Sequence, residues 1–151
     1  MPQLLDCATP VKLSSITPEF TSRKLRVAGR MLAYIPETSM LLLADGHAAL
    51  FVDISLCLNP HSSMPWLRER NSVIMAMGNL EESEHPFPLP ILPLHARKSE
   101  IDPYLVLRAI VVTDSLTLDL RLWNKAIEER EKLAAASSAK RTTPSDIGSV
   151  R

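Results

Sequence analysis

Only two of the 151 residues are cysteines, Cys7 and Cys57, and no Cys-x-x-Cys occurs. That argues against a thiolate zinc site, leaves a disulfide possible without implying one, and suits a reducing compartment. Glycine is scarce, with four residues, too few for a phosphate-cradling loop. Aromatic residues make up 5%, which leaves few platforms for stacking bases. No apolar run reaches about 18 residues, so no membrane-spanning helix is expected. The N-terminus has no basic stretch followed by an apolar one, so no signal peptide is expected, and the cytosol or nucleus remains. An excess of either charge is also missing: 17 basic side chains face 17 acidic ones, with a pI near 6.9. A domain that grips nucleic acid alone is usually strongly basic. Any such binding here is expected to be weak, or shared with a partner.

What is present suits one domain with tails: 46% hydrophobic and 23% charged residues, enough for a modest core. Residues 1–22 hold Pro2, Pro10 and Pro18 and read as a loosely structured arm, with one short extended stretch at Val11 to Ile16. Lys24 to Tyr34 then alternates as a long strand. Leu25, Val27, Gly29, Met31 and Ala33 take one face; Arg26, Ala28, Arg30, Leu32 and Tyr34 take the other. A glycine inside a strand marks a bend or a close backbone approach, as a small closed barrel needs. Met40 to Ala44 and Ala48 to Ile54 form a hairpin across Asp45-Gly46. A polar loop follows, then a short helix over Met64 to Arg70 that could cover the barrel end. Ser72 to Asn79 is a fourth strand and Tyr104 to Thr113 a fifth. Between them, residues 81–103 carry Pro86, Pro88, Pro90, Pro93 and Pro103, which block regular pairing and predict a long mobile connection. Asp119 is positioned to cap a helix reaching about Ala135, and residues 136–151 read as a disordered tail. This order predicts an all-β chain: a five-stranded OB-fold barrel over residues 23–135 with a C-terminal α-helix.

Catalysis finds little support. His47, His61, His85 and His95 form no metal-binding spacing and fall in loops or beside the hairpin turn. Cys57 has only His61 nearby in sequence, a weak basis for a nucleophile pair. Asp45 and Asp53 suit turn chemistry better than acid–base work. No catalytic residue, metal or cofactor is expected.

Two surfaces are candidates for binding. Arg26 and Arg30 project from one strand face, and alternation extends their row to Tyr34. Basic groups for phosphate beside an aromatic ring are how OB-folds hold single strands. Arg108 joins the row if closure sets the fifth strand beside the first, and Arg23 and Lys24 add charge at the strand entrance. The competing reading is that exposed strands carry arginine for solubility and edge protection. On the helix, Leu120, Trp123 and Ile127 form an apolar stripe, widened by Leu122, Ala126 and Leu133. It serves either to anchor a partner or to cap the chain's own barrel.

Three segments together resemble the Ten1 family. Lys24 to Tyr34 is similar to that family's Leu-Arg-x-x-Gly-Arg-x-x-x-Tyr strand; Val73 to Leu80 (VIMAMGNL) resembles its fourth strand, ending in Gly-x-Leu; Leu105 to Thr113 and then Leu118 to Glu131 resemble the last strand and helix. The resemblance spans about Lys24 to Leu133, interrupted by the proline-rich insertion. It implies a non-enzymatic OB-fold subunit that pairs with an Stn1-like OB-fold protein through the helix and barrel side. With a large third subunit (Ctc1/Cdc13-like) it would bind single-stranded telomeric DNA in telomere capping and replication, in the nucleus. Carried over by position, Arg26 would contact DNA or the partner; the strand reading above adds Arg30, Tyr34 and Arg108 as nucleic-acid contacts. The partner contacts are Leu120, Trp123, Ile127, Arg130 and Leu133, where Leu133 replaces the family's usual aromatic. Asp119 to Asn124 (DLRLWN) is instead similar to the small subunit of replication protein A. A nucleic-acid-modifying enzyme would need a carboxylate or metal cluster that the sequence lacks.

Overall fold

A computed structural model describes residues 7–61, 64–69, 71–92 and 100–148. Its strands are β1 (Thr9–Pro10), β2 (Lys24–Ile35), β3 (Met40–Asp45), β4 (Ala48–Asp53), β5 (Val73–Glu82) and β6 (Glu100–Asp114), followed by the helix α1 (Leu120–Gly148). β2 pairs antiparallel with both β3 and β5, β3 with β4, and β6 lies between β4 and β5. The β4–β6 pairing is parallel, so five strands close into a ring. That is the OB-fold expected from the strand order.

The long β2 makes closure possible. Its Lys24–Arg30 half pairs with β5 and its Arg30–Ile35 half with β3, so one strand turns between two neighbours. Leu25, Val27 and Met31 point into the ring and join Leu41, Leu43, Val52, Ile74 and Leu107 in the main core. Gly46, at φ +63°, supplies the left-handed residue the β3–β4 turn requires.

From Thr9 on, the N-terminal arm is packed rather than loose; residues 1–6 lie outside the described residues. Thr9–Pro10 pairs with Leu25–Arg26, and Leu13–Ser15 and Pro18–Phe20 are single 3-10 turns. Val11 and Leu13 are buried in the main core, where the sequence reading placed only an extended stretch. The expected helix over Met64 to Arg70 is a 3-10 turn, Pro65–Arg68, that buries Trp66.

The helix starts where expected. The Asp119 carboxylate accepts from the Arg121 amide at 2.9 Å and the Leu122 amide at 3.4 Å. Asp119→Ala is therefore expected to cost about 1 kcal/mol of unfolding free energy, read as a lower denaturant midpoint. The helix then continues to Gly148, past Ala135 where the composition turns polar. Ala136, Ala139, Lys140 and Arg141 extend a started helix at little cost, whereas the turn from Thr142 through Pro144 to Gly148 has no explanation in helix propensity.

Candidate nucleic-acid and partner interfaces

Arg26 and Arg30 do share the outer face of β2, with the buried Ala28 between them. Arg30 is exposed and one guanidinium nitrogen donates to the Asn71 carbonyl at 3.4 Å. At the entrance of the strand, the Arg23 guanidinium sits 4.9 Å from the centre of the Phe20 ring.

Tyr34 does not continue this row. The pairing with β3 slips between Met31 and Ala33, so Met31 faces Leu43 while Ala33 faces Leu42. Leu32 is the extra residue of a β-bulge, and one extra residue reverses every later side chain. Tyr34 therefore leans on the main core, while Leu32, Ala33 and Ile35 pack outside the ring.

Arg108 is also displaced from the expected place. The ring closes β2 against β5, not against β6, so Arg108 lies opposite Asn79 and Asp53. Its guanidinium Nε is 3.2 Å from Glu81 Oε2. An exposed pair of this kind contributes little stability, but a phosphate would have to displace the carboxylate first.

Of the connection expected to be mobile over residues 81–103, residues 83–92 are packed on the barrel, and residues 93–99 lie outside the described residues. The Phe87 ring packs on Phe51 at 5.6 Å between centres, tilted by 52°. With Leu92 it covers a second apolar cluster of Met40, Leu42, Phe51 and Val106 on the outside of β3, β4 and β6. The Ser83 amide donates to the Tyr104 carbonyl at 2.7 Å and the Phe87 amide to the Pro103 carbonyl at 2.9 Å. Proline removes backbone donors; it does not prevent the side chains between prolines from packing.

The helix divides its apolar residues between two faces. Leu120 and Ile127 are buried against the chain itself, and Trp123 is half-buried. The Asn124 side-chain amide donates to Asp45 Oδ2, and Lys12 Nζ lies 3.0 Å from Glu128 Oε1, so polar contacts flank the same face. Asp119 and Asn124, two residues of the DLRLWN segment, thus cap and dock the helix. The expected partner stripe of Leu120, Trp123 and Ile127 is largely taken by the chain's own barrel. Leu122 and Leu133 are instead 65% and 70% exposed, with Ala126 and Arg130 also exposed. At 3.6 residues per turn, Leu122, Ala126 and Leu133 fall on one line.

Cys57 is half-buried and its thiol faces the Ala109 carbonyl at 3.5 Å. Burial raises its pKa, and the Asp53 carboxylate adds to the shift. The thiolate a nucleophile requires is therefore disfavoured near neutral pH. Among the described residues, no group of three or more histidine, cysteine, aspartate or glutamate side chains could hold a metal ion.

No family model matches the sequence, and no curated protein matches it. Solved structures do match the fold. A chain in the crystal structure of the S. pombe Stn1–Ten1 complex is similar with a TM-score of 0.58 at 16% identity, covering 85% of this chain and 95% of that one. The telomere capping protein Ten1 from Saccharomyces pombe gives 0.57 at 16% identity, covering 83% and 99%. An aspartyl tRNA synthetase from Entamoeba histolytica gives 0.50 at 12%, covering 74% of this chain but 22% of that one. The first two likenesses cover more than four-fifths of this chain and nearly all of the other, and the shared architecture is the OB-fold.

Proposed function

We propose that this chain is a Ten1-like small subunit of a telomere-capping complex, and that it pairs with an Stn1-like OB-fold protein through the outer face of α1. One observation carries the reading: Leu122, Ala126 and Leu133 form an exposed apolar line on a helix whose opposite face is docked on the barrel. The length of the structural likeness supports it. Strands β2 to β6 end at Asp114, so a match over 85% of the chain extends beyond the barrel. The motif order in Lys24–Tyr34, Val73–Leu80 and Leu118–Glu131 supports it independently.

In such a complex the chain contributes part of a single-stranded-DNA surface. Its zero net charge suits a minor share, with most phosphate contacts supplied by the partner and by a large third subunit. The nucleus, at the telomere, is where this assembly works.

The test is co-expression with the Stn1-like protein of the same organism, followed by affinity capture. Leu122→Asp and Leu133→Asp are each expected to weaken the complex by about 2 kcal/mol or more, roughly 30-fold. Both sites are solvent-exposed, so the monomer's fold should be unaffected. A complex of unchanged affinity in both variants would remove the helix face from the interface.

A further inference from the structure

OB-folds take single strands along the outer face of their second and third strands and between the loops joining strands one to two and four to five. In this chain the second and third barrel strands are β3 and β4, and their outer face is shut. Met40, Leu42 and Phe51 lie under Phe87 and Leu92 of the chain's own proline-rich segment. The buried members of this cluster are all apolar, so it offers nothing to phosphate.

The two loops nevertheless border an open cleft of about 710 Å³. Pro36 of the β2–β3 loop stands on one side and Pro90 and Ile91 of the β5–β6 segment on another. The Pro65–Arg68 turn closes a third side. Of the lining residues, only Tyr34 is aromatic and only Arg68 is charged. Both are available: neither side chain has a hydrogen-bond or ion-pair partner among the described residues, Arg68 is exposed, and Tyr34 is half-buried. The β-bulge at Leu32 is what turns Tyr34 away from the row of Arg26 and Arg30. A cleft of several hundred Å³ with one ring and one guanidinium among its walls fits a single nucleobase with its phosphate.

We propose that this cleft is a one-nucleotide subsite for single-stranded nucleic acid, with Tyr34 stacking the base and Arg68 pairing with the adjacent phosphate. It stands in place of the covered strand face. The idea rests on the proposed single-strand-binding role and adds to it a location and a residue, Arg68, that the sequence pattern did not suggest.

The experiment uses the full chain and a fluorescent oligo(dT) at low salt, read by polarisation. Tyr34→Leu should weaken binding at least about fivefold, while Tyr34→Phe retains most of it, because the ring carries the stacking. Arg68→Ala should weaken binding and lower the slope of log affinity against log salt by about 0.7. Phe87→Ala, which uncovers the strand face, should leave affinity unchanged. The cleft is ruled out if Tyr34→Leu and Arg68→Ala bind as wild type, if wild-type chain shows no low-salt binding, or if Phe87→Ala binds more tightly. The last result would make the strand face the site and the segment its competitor. The same variants are carried through the partner capture described above. Retained capture with unaltered oligonucleotide binding would sink the cleft alone, and lost capture would point to misfolding or to the interface.

Discussion

Gly78→Ala is expected to lower the unfolding free energy by about 3 kcal/mol, one of the largest effects of any small substitution in this chain. A methyl group built there would lie 2.0 Å from the Arg108 carbonyl oxygen, 2.6 Å from its carbon and 2.7 Å from the Ala109 Cα. All three are backbone atoms of β6, held by the ladder on both sides, and none can step away as a side-chain end can. The pairing of β5 with β6 slips between Met77 and Gly78, and this slip brings the two backbones so close. Gly29 is the internal control. Its added methyl would meet Leu13 Cδ1 at 2.9 Å and the Ala44 carbonyl oxygen at 3.0 Å. The first is a side-chain end that can shift, and the Ala44 backbone is tight but not overlapping, so Gly29→Ala should cost less, about 1–2 kcal/mol. Urea titrations of both variants decide the matter. Equal midpoints, or a Gly78→Ala midpoint within about 0.5 kcal/mol of wild type, would mean that the two strands are not this close.

Phe51→Ala is the second large effect, with about 3–5 kcal/mol expected. Phe51 has no exposed surface, and its ring fills the outer cluster beneath Phe87. Phe87 is only half-buried, so Phe87→Ala should cost less, about 1–2 kcal/mol. The two rings touch, so the double variant should fall short of the sum by about 0.5–1.5 kcal/mol. Strict additivity would place the proline-rich segment off the barrel in solution. That outcome would also reopen β3 and β4 as a binding face.

Much of the barrel could be read from residue order, because half-buried strands advertise themselves by alternation. Lys24 to Tyr34, Met40 to Ala44 and the Asp45-Gly46 turn all formed where expected. Tyr34 went astray because the bulge falls in Met31 to Ile35, a run with no polar residue to mark a change of parity. Arg108 went astray for a topological reason. Which strand closes a ring depends on the crossover to a parallel β4–β6 pair, and no local pattern encodes it. The helix carries two apolar lines, and composition cannot say which meets its own barrel. Leu120 and Ile127 do; Leu122 and Leu133 do not. In the arm and the proline-rich segment, a few isolated side chains such as Val11, Leu13 and Phe87 do the packing. Too few of them stand in sequence to make a period. Nothing local singles out Arg68, because the Tyr34 ring and the two loops that share its cleft are distant in sequence.

The closed ring limits how a second protein can join. Each barrel strand has a hydrogen-bonded neighbour on both sides over part of its length, and the added two-residue β1 ends in Pro10, which has no amide hydrogen to offer. Annexation of an incoming strand, the commonest route by which sheets recruit peptides or aggregate, therefore finds only short open stretches, such as the part of β6 beyond Arg108 that is paired with β5 alone. Recognition of a companion then falls chiefly to side chains, which makes specificity a matter of a few surface residues.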